Sequence, residues 1–239
     1  MFAYHLNADP VELAFTDRLG GVSASPYDAL NLARTSGDDP AAVATNWARV
    51  LDVLAPDGAV LCDMQQVHGN VVAVADPAAV EAPVCDAIVT DRSDVVLAVR
   101  VADCVPVLLA DPAAGVIGAT HAGRKGVELD VVGATVDRMR ELGATALAAW
   151  IGPHVCGGCY EVPQQMQDEV AAIEPATRAT TTWGTPSLDL GAGVRAQLER
   201  AGVAVTHLGP CTLEHTTLFS HRRDAEGAGR LAGLIRVRR

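Results

Sequence analysis

The chain has 239 residues, with 18 Lys+Arg against 29 Asp+Glu, a formal net charge of −11, and 49% hydrophobic but only 4% aromatic residues. That length supports one sizeable core filled mainly by Ala, Val and Leu, and so large an apolar fraction excludes a disordered chain. The acidic balance argues against a binder of nucleic acid or of an anionic membrane surface.

Met1 to Pro10 lacks the basic region and apolar run of a signal peptide. Asp38-Asp39-Pro40 followed by residues 41–54 predicts a capped helix, with Val43, Trp47, Val50 and Leu54 on one face. Residues 71–74, 87–90 and 95–101 predict strands. Residues 105–110 and 116–120 predict a hairpin around Asp111-Pro112-Ala113-Ala114-Gly115. The most apolar region, 95–119, is cut by Arg100, Asp103 and Asp111, so no membrane span is expected. A helix follows over 130–142, ending at Gly143. Then come a strand at 147–151, helices at 163–172 and 190–201, and strands at 203–208 and 234–237. Adjacent strand pairs mixed with helices predict an α+β domain with mixed sheets, spanning 1–239 without a linker or repeat. No Gly-x-Gly-x-x-Gly follows a strand and no Gly-x-x-x-x-Gly-Lys-Ser/Thr occurs, so nucleotide folds of those kinds lose their main support.

The six cysteines are Cys62, Cys85, Cys104, Cys156, Cys159 and Cys211. At this length they are not read as a disulfide framework; reduced thiols in a cytoplasmic protein are expected. Cys156-Gly157-Gly158-Cys159 is a lone Cys-x-x-Cys. A structural zinc site would want a second cysteine pair, so this one reads as a turn carrying incidental cysteines.

Three segments set a metal-competent or nucleophilic side chain beside small residues at a strand end: Gln65-Gln66-Val67-His68-Gly69, Val101-Ala102-Asp103-Cys104-Val105-Pro106 and Ala119-Thr120-His121-Ala122-Gly123. His68, Cys104 and His121 suit zinc with a fourth position left open. They lie far apart in the chain, so only the fold can unite them. On residues alone, two ordinary histidines with a buried cysteine, and a metal-free pair of Cys104 as nucleophile with His121 as base, stay open beside the metal reading. Near the C-terminus, Arg222, Arg223 and Arg230 form a basic cluster suited to a phosphate or carboxylate, or equally to ion pairs with Asp224 and Glu226.

Taken in order, Phe15-Thr16-Asp17-Arg18-Leu19-Gly20-Gly21-Val22-Ser23, Asn31-Leu32, Gly37-Asp38-Asp39-Pro40, Gln66-Val67-His68-Gly69, Asp86-Ala87-Ile88-Val89-Thr90, Ala102-Asp103-Cys104-Val105-Pro106, His121-Ala122-Gly123, Ile151-Gly152-Pro153, Cys159-Tyr160-Glu161-Val162 and the Phe219-Ser220-His221-Arg222-Arg223 segment resemble the YfiH-like family. This family is also called the laccase-domain or multicopper polyphenol oxidase family, and the resemblance covers nearly the whole chain. It implies a single-domain four-layer α/β sandwich with mixed sheets. It also implies a metal site from His68, Cys104 and His121, with zinc as the usual metal and copper in older labels.

The activity so implied is purine nucleoside chemistry: phosphorolysis of adenosine, inosine, guanosine and methylthioadenosine, and deamination of adenosine. The partners are purine nucleosides and phosphate, with monomer and homodimer both open. On this reading Asp103 is the candidate proton carrier of deamination, with a plain turn carboxylate as the alternative. Arg18, Lys125, Arg222 and Arg223 are candidates for phosphate, and Asn31 for a ribose hydroxyl or a turn cap. The family commonly reads His-Ala-Gly-Trp-Arg-Gly where this chain has His121-Ala122-Gly123-Arg124-Lys125-Gly126, which puts substrate preference in doubt. His221 stands where Tyr is frequent.

Three other functions compete. A copper polyphenol oxidase is poorly supplied by seven His without a His-x-His pair. A cysteine hydrolase would use Cys104 and His121 on peptidoglycan precursors. A non-catalytic nucleoside-binding domain is the third.

Overall fold

A computed structural model of the protein describes residues 1–238; Arg239 lies outside the described residues. The chain opens on an antiparallel pair, β1 (Phe2–Ala8) and β2 (Val11–Thr16), and an extended loop leads to α1 (Pro40–Leu54). That helix begins where Asp39 accepts the Ala41 amide at 2.9 Å and Pro40 fills the first turn, a position with no helical partner for its absent N–H. Two short strands follow, β3 (Val60–Cys62) and β4 (Val72–Val74). The central strands are β5 (Ala87–Thr90), β6 (Val95–Val101), β7 (Val105–Asp111) and β8 (Val116–Ala122). Next come α2 (Arg124–Glu128), α3 (Val131–Glu141), β9 (Ala148–Ile151), α4 (Gln164–Ile173) and the small hairpin β10 (Arg178–Thr180) and β11 (Pro186–Leu188). The chain closes with α5 (Leu190–Arg200), β12 (Ala204–His207), α6 (His221–Asp224) and β13 (Leu231–Val237).

Two large mixed sheets result, ordered β1-β2-β13-β6-β3 and β12-β9-β7-β8-β5-β4. The pairs β3/β6, β4/β5 and β9/β12 are parallel; the rest are antiparallel. Alternation along the strands builds the layers. Val95, Leu97, Val99 and Val101 of β6 meet Leu108 and Ala110 of β7 and Ile117 and Ala119 of β8 between the sheets. Val96 and Ala98 point the other way, onto Val50 and Leu54 of α1. Val105, Val107 and Leu109 point outward onto α3 and α5. The order is therefore helix, sheet, sheet, helices: the four-layer α/β sandwich. Both sheets are covered on both faces, which is why β6 and β7 read as unbroken apolar runs rather than alternating ones. Each fully buried Leu or Ile in the central layer contributes about 1.5–3 kcal/mol.

Most predicted elements fall within a few residues of those observed. The hairpin strands run further, to Asp111 and Ala122, which places His121 inside β8, and the last strand begins earlier, at Leu231. The first two strands carry no simple apolar signal. Glu12 is buried in β2, taking His5 Nε2 at 2.8 Å with Arg236 Nε 3.7 Å away. No helix is long and apolar enough to cross a membrane.

The topology sets the site at a seam. The chain leaves the first sheet on β6 and enters the second on β7 within residues 102–104. To make that crossing Asp103 adopts φ +89°. His68, in the loop between β3 and β4, has φ +62°. Left-handed backbone at a non-glycine residue costs about 1–3 kcal/mol and persists only where its surroundings impose it.

Candidate metal centre and active site

One carboxylate organises both histidines. Asp86, directly before β5, is fully buried. Its Oδ1 accepts from His121 Nδ1 at 2.8 Å and from the His68 amide at 2.9 Å. Its Oδ2 accepts from the Gly69 amide at 2.6 Å and the Val67 amide at 3.2 Å. Burial pushes its pKa up, but the His121 hydrogen bond and these amides outweigh burial and hold it below the usual carboxylate range. Because Nδ1 of His121 faces Asp86, Nε2 is the nitrogen left for other chemistry.

Cys104, at the mouth of β7, places Sγ 3.8 Å from His68 Nε2. The His68 and His121 rings stand edge to face, centroids 4.8 Å apart. The ligand atoms of His68, Cys104 and His121 all lie within 4.8 Å of one another. Gly123 leaves the space they need. A Cβ there would sit 2.7 Å from His68 Cδ2 and 3.2 Å from Cys104 Sγ, so a larger residue displaces the His68 ring. Burial disfavours the Cys104 thiolate, yet His121 and His68 bring its pKa down to about 6. Burial likewise disfavours the His121 imidazolium, but the Cys104 charge and Asp86 carry its pKa up to about 9. Without a cation the pair rests as thiolate and imidazolium near neutral pH. Two imidazoles and a thiolate, with one ring oriented by a carboxylate, form a donor set able to hold a transition metal and leave a position open.

A cavity of about 540 Å³ opens on this cluster, large enough for a small ligand. His68, Cys104 and His121 line it, with Gln66, Arg100 and Arg230. Gln66 fixes the loop that carries His68: its Oε1 accepts the Arg100 amide at 2.9 Å and its Nε2 donates to the Arg100 carbonyl at 2.8 Å. The Arg100 guanidinium is spent on Asp63 and the Met64 carbonyl. Arg230 is partly buried, with Nη1 donating to the carbonyls of Ala228 and Gly229 at 2.7 and 3.0 Å.

The other predicted site residues lie around this cavity without lining it. Asp103 is buried and faces the C-terminal segment. Its Oδ1 accepts from Thr212 Oγ1 and its Oδ2 from the Arg222 amide, both at 2.6 Å. Asn31 is fully buried and bridges loops, donating to Asp38 at 2.9 Å and accepting from the Ala33 and Arg230 amides at 3.0 and 2.9 Å. Arg18 donates to the Asp28 carbonyl at 2.6 Å and stacks 4.5 Å over Phe219. Lys125 and Arg124 both pair with Glu128, at 2.7 and 2.5 Å. Arg222 is exposed, 5.0 Å over the Tyr160 ring, and donates to the Glu161 carbonyl. Arg223 is a staple, donating to the carbonyls of Thr212, Leu213 and Leu218.

Sequence reasoning gave no role to Asp86 or Gln66, and singled out Arg230 only as one of a basic cluster. The signal for Asp86 was a carboxylate set directly before an all-apolar strand. Nothing local marked Gln66, whose two partners lie 34 positions away.

The family model for the multi-copper polyphenol oxidoreductase laccase matches residues 12–238. A Streptomyces griseus protein named purine nucleoside phosphorylase ORF3 is 53% identical over 228 residues, covering 93% of this chain and 92% of that protein. The crystal structure of the Neisseria meningitidis protein NMB0706 matches with a TM-score of 0.87 and 32% identity, over 99% of each chain. That of Bacillus licheniformis YfiH matches with a TM-score of 0.87 and 28% identity, over 96% of this chain and 94% of that one.

Proposed function

We propose that this chain, which belongs to the multi-copper polyphenol oxidoreductase laccase family, is a zinc-dependent purine nucleoside phosphorylase of the cytoplasm that also deaminates adenosine. The names of its relatives support the nucleoside and phosphate substrates. The observation that carries the reading is the convergence of His68, Cys104 and His121 at the cavity, with His121 tied to Asp86. These three residues would hold the metal. Zinc, when bound, supplies a Lewis acid and lowers the pKa of bound water toward about 7.

The protein's own groups do the rest. Asp86 keeps the His121 proton on Nδ1 and ties the His68 loop to the same carboxylate. Arg230 is the cavity's partly buried guanidinium with its Nη1 already fixed, so it suits the phosphate better than Arg18, Lys125 or Arg223, each committed to an internal partner. Arg222, exposed and held over the Tyr160 ring outside the cavity lining, is the second choice. In phosphorolysis an oxygen of hydrogen phosphate bonds to C1′ as the bond from C1′ to the purine breaks, and the purine leaves with the proton that the phosphate gives up. Adenosine, inosine, guanosine and methylthioadenosine share that bond. In deamination water replaces the C6 amino group and ammonia leaves. Asp103 is a positioning residue on this account, since both its oxygens accept internal hydrogen bonds.

Incubation with adenosine, with and without phosphate, tests the reading through adenine, inosine and hypoxanthine. Adenine that appears only with phosphate, and inosine that appears without it, are expected. Neither product from zinc-loaded protein refutes it.

One observation favours a second reading. The lowered Cys104, raised His121 and orienting Asp86 also make a nucleophile, base and orienter, the arrangement of a cysteine hydrolase. Activity that survives chelation but dies on thiol alkylation selects it. A polyphenol oxidase needs further copper ligands, and among the described residues the other metal-competent cluster contains no His.

A further inference from the structure

Cys156 and Cys159 do not stand alone in the fold. Cys211, from the loop after β12, reaches their turn, and Glu214 follows it one turn later. The ligand atoms of Cys156, Cys159, Cys211 and Glu214 all lie within 4.8 Å of one another. The sequence thus contains two pairs at one spacing, Cys156-x-x-Cys159 and Cys211-x-x-Glu214; the second escapes notice because a carboxylate replaces one thiol. Both pairs sit on tight turns, closed by the Tyr160 amide to the Cys156 carbonyl at 3.0 Å and the His215 amide to the Cys211 carbonyl at 3.1 Å. The Cys156 amide points at Cys211 Sγ, 3.4 Å away. A bridge between His154 and Cys211 sets the two loops side by side.

We propose that Cys156, Cys159, Cys211 and Glu214 hold a structural divalent cation, zinc by the chemistry of its donors, separate from the His68, Cys104 and His121 centre. Three thiolates and one carboxylate complete a closed tetrahedral set. Metal–sulfur bonds of about 2.3 Å put neighbouring ligand atoms about 3.8 Å apart, so closing the set takes side-chain shifts of an ångström or less. A disulfide uses two of the three sulfurs and leaves one over; a cation uses all of them. All six cysteines are free thiols here.

The need is local. The apolar cluster in this corner is small: Val155, Cys159 and Cys211 are its buried members, with Cys156, Tyr160 and Leu213 packed beside them. So small a cluster does little to hold two loops, and a metal bond supplies what it lacks. These loops also support the active-site rim. Thr212 holds Asp103, the Thr212 and Leu213 carbonyls hold Arg223, and Tyr160 and the Glu161 carbonyl hold Arg222. The cation therefore clamps both supports of Arg222 from behind.

Metal content tests this without any assay of turnover. Protein produced in zinc and purified without added reductant is analysed as Cys104→Ser and as Cys104→Ser/Cys211→Ser. The first is expected to keep about one zinc per chain and the second none. Loss of all zinc in Cys104→Ser overturns the proposal, whatever becomes of the first centre. If Cys211→Ser does not fold, Glu214→Ala at an exposed side chain replaces it. In the Cys104→Ser background it is expected to weaken zinc by at least about tenfold in chelator competition, and an unchanged affinity overturns the assignment. Denatured, chelator-treated wild type should give six thiols. A count lowered by two, the mark of a disulfide, also overturns it.

Discussion

Replacing Asp86 by Asn keeps the shape of the side chain and removes the charge on which both histidines are hung. The carboxylate accepts four hydrogen bonds, two at each oxygen. An amide presents one oxygen and one NH2, and each way of seating it fails. With NH2 at the Oδ2 position it faces the Gly69 and Val67 amides, 2.6 and 3.2 Å from that oxygen, donor against donor. With NH2 at the Oδ1 position it faces the His68 amide and drives the His121 proton from Nδ1 to Nε2, the nitrogen a metal would use. Two buried charge-assisted bonds are lost in either case, at about 1.5–3 kcal/mol each. The expected destabilisation is about 3–5 kcal/mol, a fall in Tm of roughly 10 °C for a chain of this size. Metal affinity should fall about 10- to 100-fold, as for other residues that orient a metal-bound histidine. Calorimetry and competition with a coloured chelator read the two effects. The pH dependence has a definite sign. Asp86 has a folded pKa below its unfolded value, so its contribution is complete above about pH 4 and fades as pH falls through the depressed value. The gap between wild type and variant should therefore narrow in acid. A variant within about 2 °C of wild type at pH 7, with an unchanged chelator curve, would refute the reasoning.

In metal-stripped protein, alkylation of Cys104 should rise through an apparent pKa of about 6, as thiolate forms above it, with His121 protonated up to about 9; a rise only near 8–9, read by peptide mass analysis, contradicts the coupling. Arg230→Met is expected to raise KM for phosphate at least about tenfold while KM for nucleoside moves much less, from loss of a charge-assisted bond; equal shifts in both would assign Arg230 to general packing. Asp111 is buried and accepts four backbone amides, from Thr145, Ala146, Ala113 and Ala114, led by the Ala146 bond in holding its pKa down to about 2. Asp111→Asn should cost about 2 kcal/mol at pH 7 and progressively less below pH 4, because a depressed pKa stabilises only above it; urea melts at pH 7 and pH 3 check the sign.

What the sequence made legible follows the physics of each signal. The four central strands show because both faces are buried, and α1 because Asp39-Pro40 marks its start. The first two strands are hidden because Glu12 is an acid inside a sheet, intelligible only once His5 and Arg236 are seen beside it. His68, Cys104 and His121 are visible one by one as reactive residues at strand ends. Their union depends on the β6–β7 crossing at Asp103, which no spacing encodes. The basic cluster misleads in detail. Arg223 binds carbonyls of its own chain, whereas Arg230 reaches the cavity. Charge is readable from sequence, but the partner that consumes it is not. The Cys-x-x-Cys turn shows the same limit, since its partner pair lies 55 residues on.

His68→Ala separates the two chemistries this site offers. His68 is exposed, so its removal leaves the fold, Cys104, His121 and Asp86 in place. Phosphate-dependent release of adenine from adenosine, measured with zinc content on the same sample, is the most direct test. A metal-dependent phosphorylase predicts loss of one zinc and a fall in rate of at least about a hundredfold. Undiminished, phosphate-dependent release from a His68→Ala protein that has lost that zinc would contradict the account.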